Sequence, residues 1–583
     1  MRIVPVCALL FVSTVATASP RAATVAPLTA QVTLSAHLDA SGQPAIEARY
    51  HLSRPVTTLA FSREASGLRE KMWVLDTRGI AFNKDRVVST DRRAFRDFRL
   101  HVLPYTEFVN LNYAPAVMFS DHSLALFTGY FNIAGTGATT EFRVGDSDVP
   151  VLVYGQPASG RFRRNSFPND GSFIYFGKLR PIRTPNSILV LDPDLPAWIK
   201  QSLIKDVPDI LSFYARNYGS KLERRTFILF NWNERHAQGK TDYKGDSLDD
   251  NIAFTVSGAN WSKPDLDTRQ ALARLIAHEL AHQWNAHLFV PSDFFNGNGG
   301  NWLPEGQAEF SANQTGYHFG WLSRQQLLEN YTADINNCLL APANKPISQQ
   351  NWDNNAIYGC GVTFNLLAQA ALQQARPQHS FFDLWHAIYN DAAHNKHQYS
   401  VADYLQEFQH LSGNTALSST INTVVTKSAA NKTALIVSAL QRLKFGFVRV
   451  SDNNADIDSG RQAASQLFWA IMQSDCHGSV SFYTLRDGFR VDPVKGCQVL
   501  TKPYVVKAIQ GQPLFEKGFV AYRAVLNACA AHLPFELVVA GQSAPVKLQC
   551  PATLPPMPEI IRLTSLPWLP AASVNRQSAT SQH

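Results

Sequence analysis

The sequence lacks several features that would point to particular classes of protein. It has no Cys-x-x-Cys pair, which argues against a zinc-thiolate cluster, and no internal repeat or coiled-coil heptads. It has no apolar run of the roughly 18 residues that a membrane-spanning helix needs. Charged residues are scarce, at 17%, and the net charge of +7 comes from basic residues scattered among acids. We therefore expect a solvated surface and no nucleic-acid partner.

The N-terminus has the form of an export signal. Arg2 is followed by a mostly apolar run over residues 3–15 and then by Ala16-Thr17-Ala18, the small-x-small pattern that a signal peptidase accepts. We predict that residues 1–19 are removed and that the mature protein is exported, to the periplasm or the extracellular space, without a transmembrane segment. A membrane anchor is the alternative, and the short apolar run argues against it.

Removal of the signal takes Cys7 and leaves six cysteines in three successive pairs with similar short spacings. An even set of this kind in an oxidising compartment indicates disulfides, each contributing about 3 kcal/mol by closing a short loop. Six cysteines permit 15 connectivities, and proximity favours sequential pairing. The expected bridges are Cys338–Cys360, Cys476–Cys497 and Cys529–Cys550.

Length and pattern predict three folded domains in this chain of 583 residues. Short alternating apolar runs between turn residues predict an antiparallel, sandwich-like β domain over 20–185. A second domain is expected over 186–445: one helix and the strand-like RRTFILF come first, and the chain from about 300 to 445 is mostly helical in period. Strands return over 446–550, and a proline-rich, polar tail is expected over 551–583. The predicted fold class is therefore multidomain α+β.

The stretch LIAHELAHQW, residues 275–284, carries the chemistry that points to a function. A helix is predicted to begin near Asp267, which has the spacing of a capping box. Residues four apart share a helix face, so His278 and His282 can bind one metal ion. Glu279 can then take a proton from a metal-bound water, which is the division of labour that hydrolysis needs. The alternative is a pair of ordinary core or surface histidines.

A third ligand must come from another part of the chain, and NWLPEGQAEF offers Glu305 early in a second predicted helix. We predict one Zn2+ per chain, held by His278, His282 and Glu305, with one coordination position left open for water. Glu309, one turn later, is predicted to accept the second ring N–H of a ligand histidine; a solvated side chain is the alternative. His287 is the competing third ligand, but it lacks the spacing and the midway glycine of the three-histidine motif.

These two segments together resemble the gluzincin metallopeptidases of the aminopeptidase N family, whose signature joins His-Glu-x-x-His to Trp-Leu-Asn-Glu-Gly. The gap before the glutamate is longer here, and the usual spacing falls on Asn301, a poor zinc ligand. The glycyl aminopeptidase family tolerates a longer gap and shares the pair Trp284-Asn285 after its second histidine. The resemblance implies a zinc aminopeptidase with a thermolysin-like, mostly helical catalytic domain over 186–445.

The resemblance also implies roles for residues outside the zinc motif. AIYGCGVTFNLL is similar to the family's Tyr-x-x-Gly helix start, which implies that Tyr358 stabilises the oxyanion of the transition state; packing under the Cys338–Cys360 loop is the alternative. The Gly-x-Met-Glu-Asn segment with which aminopeptidases bind the substrate amine is missing. In its place, GDSLDDNIAFTVSG offers Asp249 or Asp250 for the ammonium group and NIAFTVS as a strand that pairs with an extended peptide.

The C-terminal region, 446–550, is similar to the PDZ-like domain that glycyl aminopeptidases carry. The segments VVKAIQGQPL, YRAVLNACAAH and FELVVAG resemble its second half, and GSVSF over 478–482 resembles its carboxylate-binding loop. A small β domain with no binding task is the alternative.

The sequence thus predicts an exported zinc metallopeptidase, aminopeptidase-like, whose substrate is a peptide or a protein. An endopeptidase, or a hydrolase of another small substrate on the same zinc site, is the alternative among enzymes. A binding protein that retains a structural zinc is the alternative from a different class. Glu279 separates these classes, because a structural site has no need of a base beside an open coordination position.

Overall fold

The computed structural model describes residues 26–569 apart from 64–66, 106–112, 159, 163–170, 234–241, 296–299, 343–344, 350–354, 429, 479, 486–487, 492–495 and 553. The predicted signal peptide and part of GSVSF lie outside the described residues. No helix within them is long and apolar enough to cross a membrane. The three disulfides pair sequentially, which confirms the predicted connectivity.

The N-terminal region is rich in strands, as the alternating pattern predicts. Its elements are β1 (Thr29–Leu38), β2 (Pro44–Val56), β3 (Thr58–Ala60), α1 (Arg69–Met72), β4 (Trp73–Leu75), β5 (Ile80–Asn83), β6 (Arg86–Ser89), β7 (Phe95–Val102), β8 (Ala116–Met118), β9 (Leu124–Phe127), β10 (Thr139–Val144), β11 (Val151–Val153), β12 (Gln156–Pro157), β13 (Gly160–Phe162) and β14 (Phe173–Phe176).

These strands form two larger sheets that share one hydrophobic core. Their orders are β13-β10-β1-β2-β7-β4 and β12-β11-β14-β9-β8, with β3-β6-β5 as a small third sheet. The core is filled by Val32 and Tyr50 from the first sheet and by Phe127 and Tyr175 from the second. The prediction of a purely antiparallel domain was wrong at β1 and β10, which pair in parallel. These strands are distant in sequence, so no hairpin turn reports their direction.

The central region combines one sheet with a set of helices. Its elements are β15 (Ile182–Arg183), β16 (Ser187–Leu191), α2 (Ala197–Asn217), β17 (Thr226–Asn233), β18 (Asp242–Leu248), β19 (Asn251–Ser257), α3 (Leu266–His282), β20 (Val290–Pro291), α4 (Ser292–Phe295), α5 (Trp302–His318), α6 (Arg324–Leu340), α7 (Ala356–Ala375), α8 (Phe381–His394), β21 (Gln398–Tyr399), α9 (Val401–Ser412), α10 (Thr415–Thr426) and α11 (Lys432–Arg442).

The central sheet, ordered β15-β16-β17-β19-β18, separates two hydrophobic cores. Along β17, Phe227 and Leu229 are buried in the core of the N-terminal region, whereas Ile228 and Phe230 are buried against the helices. Successive side chains of a strand point to opposite faces, so a strand covered on both sides has no polar face. The mixed α+β architecture, with a β-rich N-terminal part and a mostly helical part after it, is as predicted.

The order of this sheet corrects the expectation that the strand NIAFTVS pairs with an extended peptide. The strand NIAFTVS is β19, and it lies between β17 and β18, so both of its edges are already paired. Among the strands that the structure describes, β18 is the one at this edge of the sheet. The sequence pattern marks both segments as strands, but it does not show which one the sheet leaves at its edge.

The C-terminal region has its own sheet and core. Its elements are β22 (Gly446–Arg449), α12 (Ile457–Asp475), β23 (Phe482–Leu485), β24 (Gly488–Val491), β25 (Tyr504–Ile509), β26 (Gln512–Pro513), α13 (Gly518–Ala530), β27 (Phe535–Val539), β28 (Val546–Leu548) and β29 (Ile561–Ser565).

The main sheet of this region runs β23-β24-β25-β27-β28, with β26 on β25. β29 belongs to the stretch expected to be a tail, yet it pairs with β22, and the N–H of Ile561 donates to Asn336 Oδ1 of α6 at 3.0 Å. The chain therefore returns to the central region after the C-terminal sheet. The PDZ-like character of this region stays a prediction.

Candidate active site

α3 presents the two motif histidines on one face. Its N-cap is Asp265, whose Oδ1 accepts the backbone N–H of Thr268 at 2.8 Å, so the helix begins slightly before the predicted start near Asp267. Both aspartates suit an N-cap position, and the sequence alone does not separate them. The buried apolar stripe of α3 faces the sheet and the helical core, which leaves His278 and His282 directed toward α5.

Three possible ligand atoms meet between α3 and α5. The Nε2 atoms of His278 and His282 are 3.1 Å apart, and Oε2 of Glu305 lies 3.4 and 3.5 Å from them. Tetrahedral zinc bonds of about 2.0–2.1 Å place ligand atoms about 3.3 Å apart, so this triangle fits a zinc ion. His287, the competing ligand, instead has its Nε2 3.2 Å from Oγ of Ser247. The structure thus brings the three predicted ligands together.

Both histidines have their other ring nitrogen held by a neighbour. His278 Nδ1 donates to Oε2 of Glu309 at 3.1 Å, and His282 Nδ1 donates to Oδ1 of Asn285 at 2.9 Å. Asn285 is fixed in turn, because its amide donates to the carbonyl of Pro304 at 2.7 Å. These bonds direct each Nε2 toward the centre of the triangle, which is the tautomer that a metal ligand needs.

Glu309 has a cationic partner on the same helix as the histidines. Arg274, one turn before His278, directs its Nε to Oε1 of Glu309 at 2.5 Å, and its Nη2 contacts the same oxygen. The side chain of Glu309 is 8% exposed, whereas that of Arg274 is 43% exposed. An ionised carboxylate so deeply buried requires a partner, and the guanidinium group supplies it from the rim of the site.

Carboxylates dominate the electrostatics of the triangle. Burial on its own lowers the pKa of His278, but hydrogen bonds with Glu305 and Glu309 raise it to about 10. Burial raises the pKa of Glu305, but the charge of His282 and the bonds to both histidines bring it well below its usual range. The site therefore stabilises positive charge between the two imidazoles, which is the position a cation would take.

Glu279 lies beside the triangle. Burial raises the pKa of its carboxyl group, and the charges of His278 and His282 partly offset that effect. The carboxyl group lies against Gly245 of β18, where a Cβ would clash with it. The absence of a side chain at Gly245 therefore lets the edge strand approach the catalytic helix closely. A carboxylate of raised pKa in this position is suited to accept a proton from water.

Tyr358 reaches the site from the first turn of α7. α5 and α7 cross closely because a Cβ at Gly306 would clash with the backbone of Gly361, and both positions are glycine. The ring centroid of Tyr358 is 6.2 Å from that of His278. The charge of Glu305 is the largest cause of the raised pKa of Tyr358, followed by burial. Tyr358 therefore lies beside the ligand set.

The residues predicted to bind the substrate amine lie in the turn between β18 and β19. Asp250 has a left-handed backbone, with φ 53°, and its carboxylate is 3.8 Å from Nη1 of Arg224. On β18 itself, Asp246 is buried, and its charge is among those that act on Glu279. The amine role of Asp249 and Asp250 stays a prediction.

Sequence reasoning did not assign three of these residues. Asn285 belongs to the Trp-Asn pair that follows the second histidine. That pair indicated a resemblance to a family, but it did not indicate that Asn285 supports His282. Arg274 shares a helix face with both histidines, yet an exposed-looking arginine on a helix is usually solvated. Gly245 lies in a strand-like stretch. A glycine in a strand can indicate that another segment approaches it closely, but the sequence does not show which segment that is.

Comparison with known proteins agrees with this geometry. The sequence model of the M61 glycyl aminopeptidase family matches residues 271–407, a segment that contains the whole ligand triangle and Tyr358. No curated protein sequence matches the chain.

Among solved structures, an M1 zinc metallopeptidase from Deinococcus radiodurans is 13% identical, with 69% of this chain and 94% of that chain covered and a TM-score of 0.40. Yeast LTA4 hydrolase is 15% identical, with 77% and 72% covered and a TM-score of 0.42. These values are too low for the structural likeness to carry an argument. The chain is a metallopeptidase, and its residues 271–407 match the model of the M61 glycyl aminopeptidase family.

Proposed function

We propose that the chain is an exported, zinc-dependent peptidase of the aminopeptidase type, with His278, His282 and Glu305 holding one zinc ion. The observation that carries this proposal is the triangle of ligand atoms with Glu279 beside it, since a structural zinc site needs no base. Zinc, when bound, lowers the pKa of a water molecule and polarises the substrate carbonyl. The three disulfides support export, because such bonds persist in oxidising compartments.

Glu279 is the general base. Its carboxylate accepts a proton from the attacking water and delivers it to the leaving amine, so one group serves both halves of the reaction. The raised pKa favours this exchange, because a carboxylate with an ordinary pKa is a weak base near neutral pH. Its place against Gly245 sets the base beside the strand that we propose binds the substrate.

Tyr358 stabilises the transition state. The charge of Glu305 holds the pKa of the phenol above its usual range, so the hydroxyl keeps its proton. With substrate bound, this O–H donates to the oxygen on which negative charge develops. Such a donor contributes more to the transition state than to the ground state, and therefore to kcat more than to KM.

The edge strand β18 binds the peptide in extended form, adding it to the sheet as a further strand. Gly245 lies near the middle of β18, so a peptide bond held opposite it passes Glu279. The acidic turn with Asp249 and Asp250 follows the C-terminal end of β18. A peptide that pairs antiparallel with β18 directs its amino terminus toward this end.

The test is turnover of tetra-alanine and its N-acetylated form by the zinc-loaded chain. Glu279→Gln preserves the volume of the side chain but cannot accept a proton, so we expect zinc and fold to be retained and nearly all turnover lost. Tyr358→Phe should lower kcat by about 100- to 1,000-fold with little change in KM.

The alternatives make different predictions. An endopeptidase hydrolyses the acetylated peptide as well as the free one, and a hydrolase of another small substrate hydrolyses neither. If Glu279→Gln were as active as the wild type, the base would be wrong and with it the proposed mechanism. A chain that holds zinc but hydrolyses neither these peptides nor any other small substrate would be the binding protein with a structural zinc.

A further inference from the structure

The N-terminal β region reaches the edge strand of the active site. The hydroxyl of Tyr113 donates to the carbonyl of Ser247 on β18 at 3.2 Å, and the N–H of Ala114 donates to Oδ2 of Asp246 at 3.1 Å. A short segment of the N-terminal region therefore occupies β18 close to its C-terminal end. A peptide would need that same place in order to extend along the strand.

The outward groups of β18 can be identified from its pairing. β18 and β19 join through a two-residue turn, with Leu248 opposite Asn251. In such a hairpin alternate residues bond to the partner strand, and those between them direct both backbone groups outward. The Tyr113 contact shows that Ser247 is an outward residue, and Gly245, two residues earlier, is therefore outward as well.

Tyr113 is held firmly from its own side. The hydroxyl of Tyr130 donates to its carbonyl at 3.0 Å, and its ring centroid lies 4.9 Å from that of Phe127 in the core of the N-terminal region. The guanidinium carbon of Arg63 lies 5.3 Å from the centre of the Tyr113 ring. These contacts hold the Tyr113 ring against the core of the N-terminal region.

Burial raises the pKa of the Tyr113 hydroxyl, the charge of Asp246 raises it further, and the charge of Arg63 partly offsets these effects. The hydroxyl therefore keeps the proton that it donates to the carbonyl of Ser247.

We propose that Tyr113 ends the peptide-binding edge of β18 and so limits how far a substrate can extend beyond the bond that is cut. The proposal rests on the proposed function, since it concerns the peptide that Glu279 acts on. Gly245 and Ser247 are two residues apart, about 7 Å along a strand. Because Tyr113 occupies the place opposite Ser247, a bound peptide has room for about one residue past the one opposite Gly245 before it meets the ring.

The direction of pairing decides which end of the substrate is limited. A peptide antiparallel to β18 directs its amino end toward Ser247, so the N-terminal region closes the amino side of the cleft. Asp246 holds this closure in place, because its carboxylate receives the Ala114 N–H on one oxygen and lies 2.9 Å from Nζ of Lys244 through the other. The ring therefore excludes peptides that extend at their amino end beyond this closure.

The test compares Tyr113→Ala with Tyr113→Phe. Tyr113→Ala removes the ring. Tyr113→Phe removes only the hydroxyl and keeps the ring that blocks the peptide. Substrates are tetra-alanine and the same peptide extended at its amino end by an acetylated Gly-Gly-Gly. For Tyr113→Ala we expect kcat/KM for the extended peptide, divided by kcat/KM for the free peptide, to rise by about 10-fold or more. Mass spectrometry should then show internal cleavage of the extended peptide. Tyr113→Phe should keep the wild-type ratio.

Phe82→Ala is the matched control, because it removes a partly buried ring from the same region, away from β18. Phe82→Ala should leave the ratio of kcat/KM for the extended and free peptides unchanged. This control separates the block by the Tyr113 ring from general destabilisation of the N-terminal region. An unchanged ratio and unchanged products for a folded, zinc-loaded Tyr113→Ala would overturn the proposal.

Binding of the same two peptides to zinc-loaded Glu279→Gln, with and without Tyr113→Ala, gives a measure that needs no turnover. We expect the extended peptide to bind only when the ring is removed. Equal binding of both peptides while Tyr113 is intact, or binding of neither to any variant, overturns the proposal. Loss of turnover with this binding preference intact contradicts only the proposed mechanism.

Discussion

The two histidines of the site are supported by different chemistry in two regions of the molecule. Between α3 and α5, His278 donates to the ionised carboxylate of Glu309, which Arg274 neutralises. At the end of α3, His282 donates to the neutral amide of Asn285, which the backbone of Pro304 holds. One support depends on a balanced pair of charges, and the other depends on shape and neutral hydrogen bonds.

This difference bears on what each region can tolerate. A carboxylate increases the basicity of the histidine that donates to it and so strengthens that ligand, but it has to be paired when buried. An amide orients the ring without adding charge to a site that already holds Glu279 and Glu305. The comparison predicts that loss of the Glu309 charge weakens metal binding more than loss of the Asn285 amide, and that both act less than loss of a ligand.

The largest effect is expected from Glu305→Ala. It removes the one carboxylate of the ligand triangle, and we expect loss of stoichiometric zinc by elemental analysis, as for His278→Ala and His282→Ala. Glu309→Ala is the informative partner. If Glu309→Ala lost all zinc while Glu305→Ala retained it, the roles of these two glutamates would be exchanged and the comparison would collapse.

Glu309→Gln should have the next largest effect. The amide retains an acceptor for His278 Nδ1 but loses the charge, so we expect zinc affinity to fall by about 10- to 100-fold, measured by competition with a chelator. An affinity equal to that of the wild type would show that the charge on this side has no function in metal binding.

Asn285→Ala removes the neutral support. We expect zinc affinity to fall by about 10-fold, at the lower end of the range for such supports, because His282 keeps its place on α3 and loses only its orienting bond. The thermal unfolding midpoint serves as the control, since Asn285 is buried and also bonds to Pro304. A larger loss than in Glu309→Gln, at comparable stability, would reverse the order of the two regions.

Arg274→Met should have the smallest effect, about a few-fold in zinc affinity, because the partly exposed guanidinium group acts through Glu309 and is screened by solvent. In the Glu309→Gln background the same substitution should add almost nothing, because the two side chains act as one unit. Arg269→Met is the matched control, since Arg269 lies on the same helix but stacks on Trp198. Full additivity of Arg274→Met and Glu309→Gln would remove Arg274 from the support of His278.

The helical half of the site could be predicted from the sequence because its information is local. The four-residue spacing fixes His278 and His282 on one face, and Glu305 and Glu309 repeat that spacing on the next helix. Residues three or four apart on a helix must be neighbours whatever the rest of the chain does. The sequential disulfides were predictable for a similar reason, since short loops bring cysteines together.

The strand half of the site could not be predicted in this way. The placement of β18 at the edge depends on the order of five strands, and the contact of Tyr113 with Ser247 joins residues 134 positions apart. Asn285 is near His282 in sequence, but its orientation depends on the π-helical turn over Gln283–Leu288. This turn follows α3 directly, and helical periodicity does not predict it. Long-range order and an irregular turn leave no local signal.

The most direct test is the zinc dependence of peptide hydrolysis by the purified chain. The enzyme is stripped with a chelator, reloaded with measured amounts of zinc and assayed on tetra-alanine at each step. We predict no hydrolysis by the stripped chain, a linear return of activity up to one zinc per chain, and no return in Glu279→Gln despite equal zinc uptake. Hydrolysis that persists without metal, or a fully loaded chain that cleaves no peptide, would contradict a zinc peptidase built on His278, His282 and Glu305.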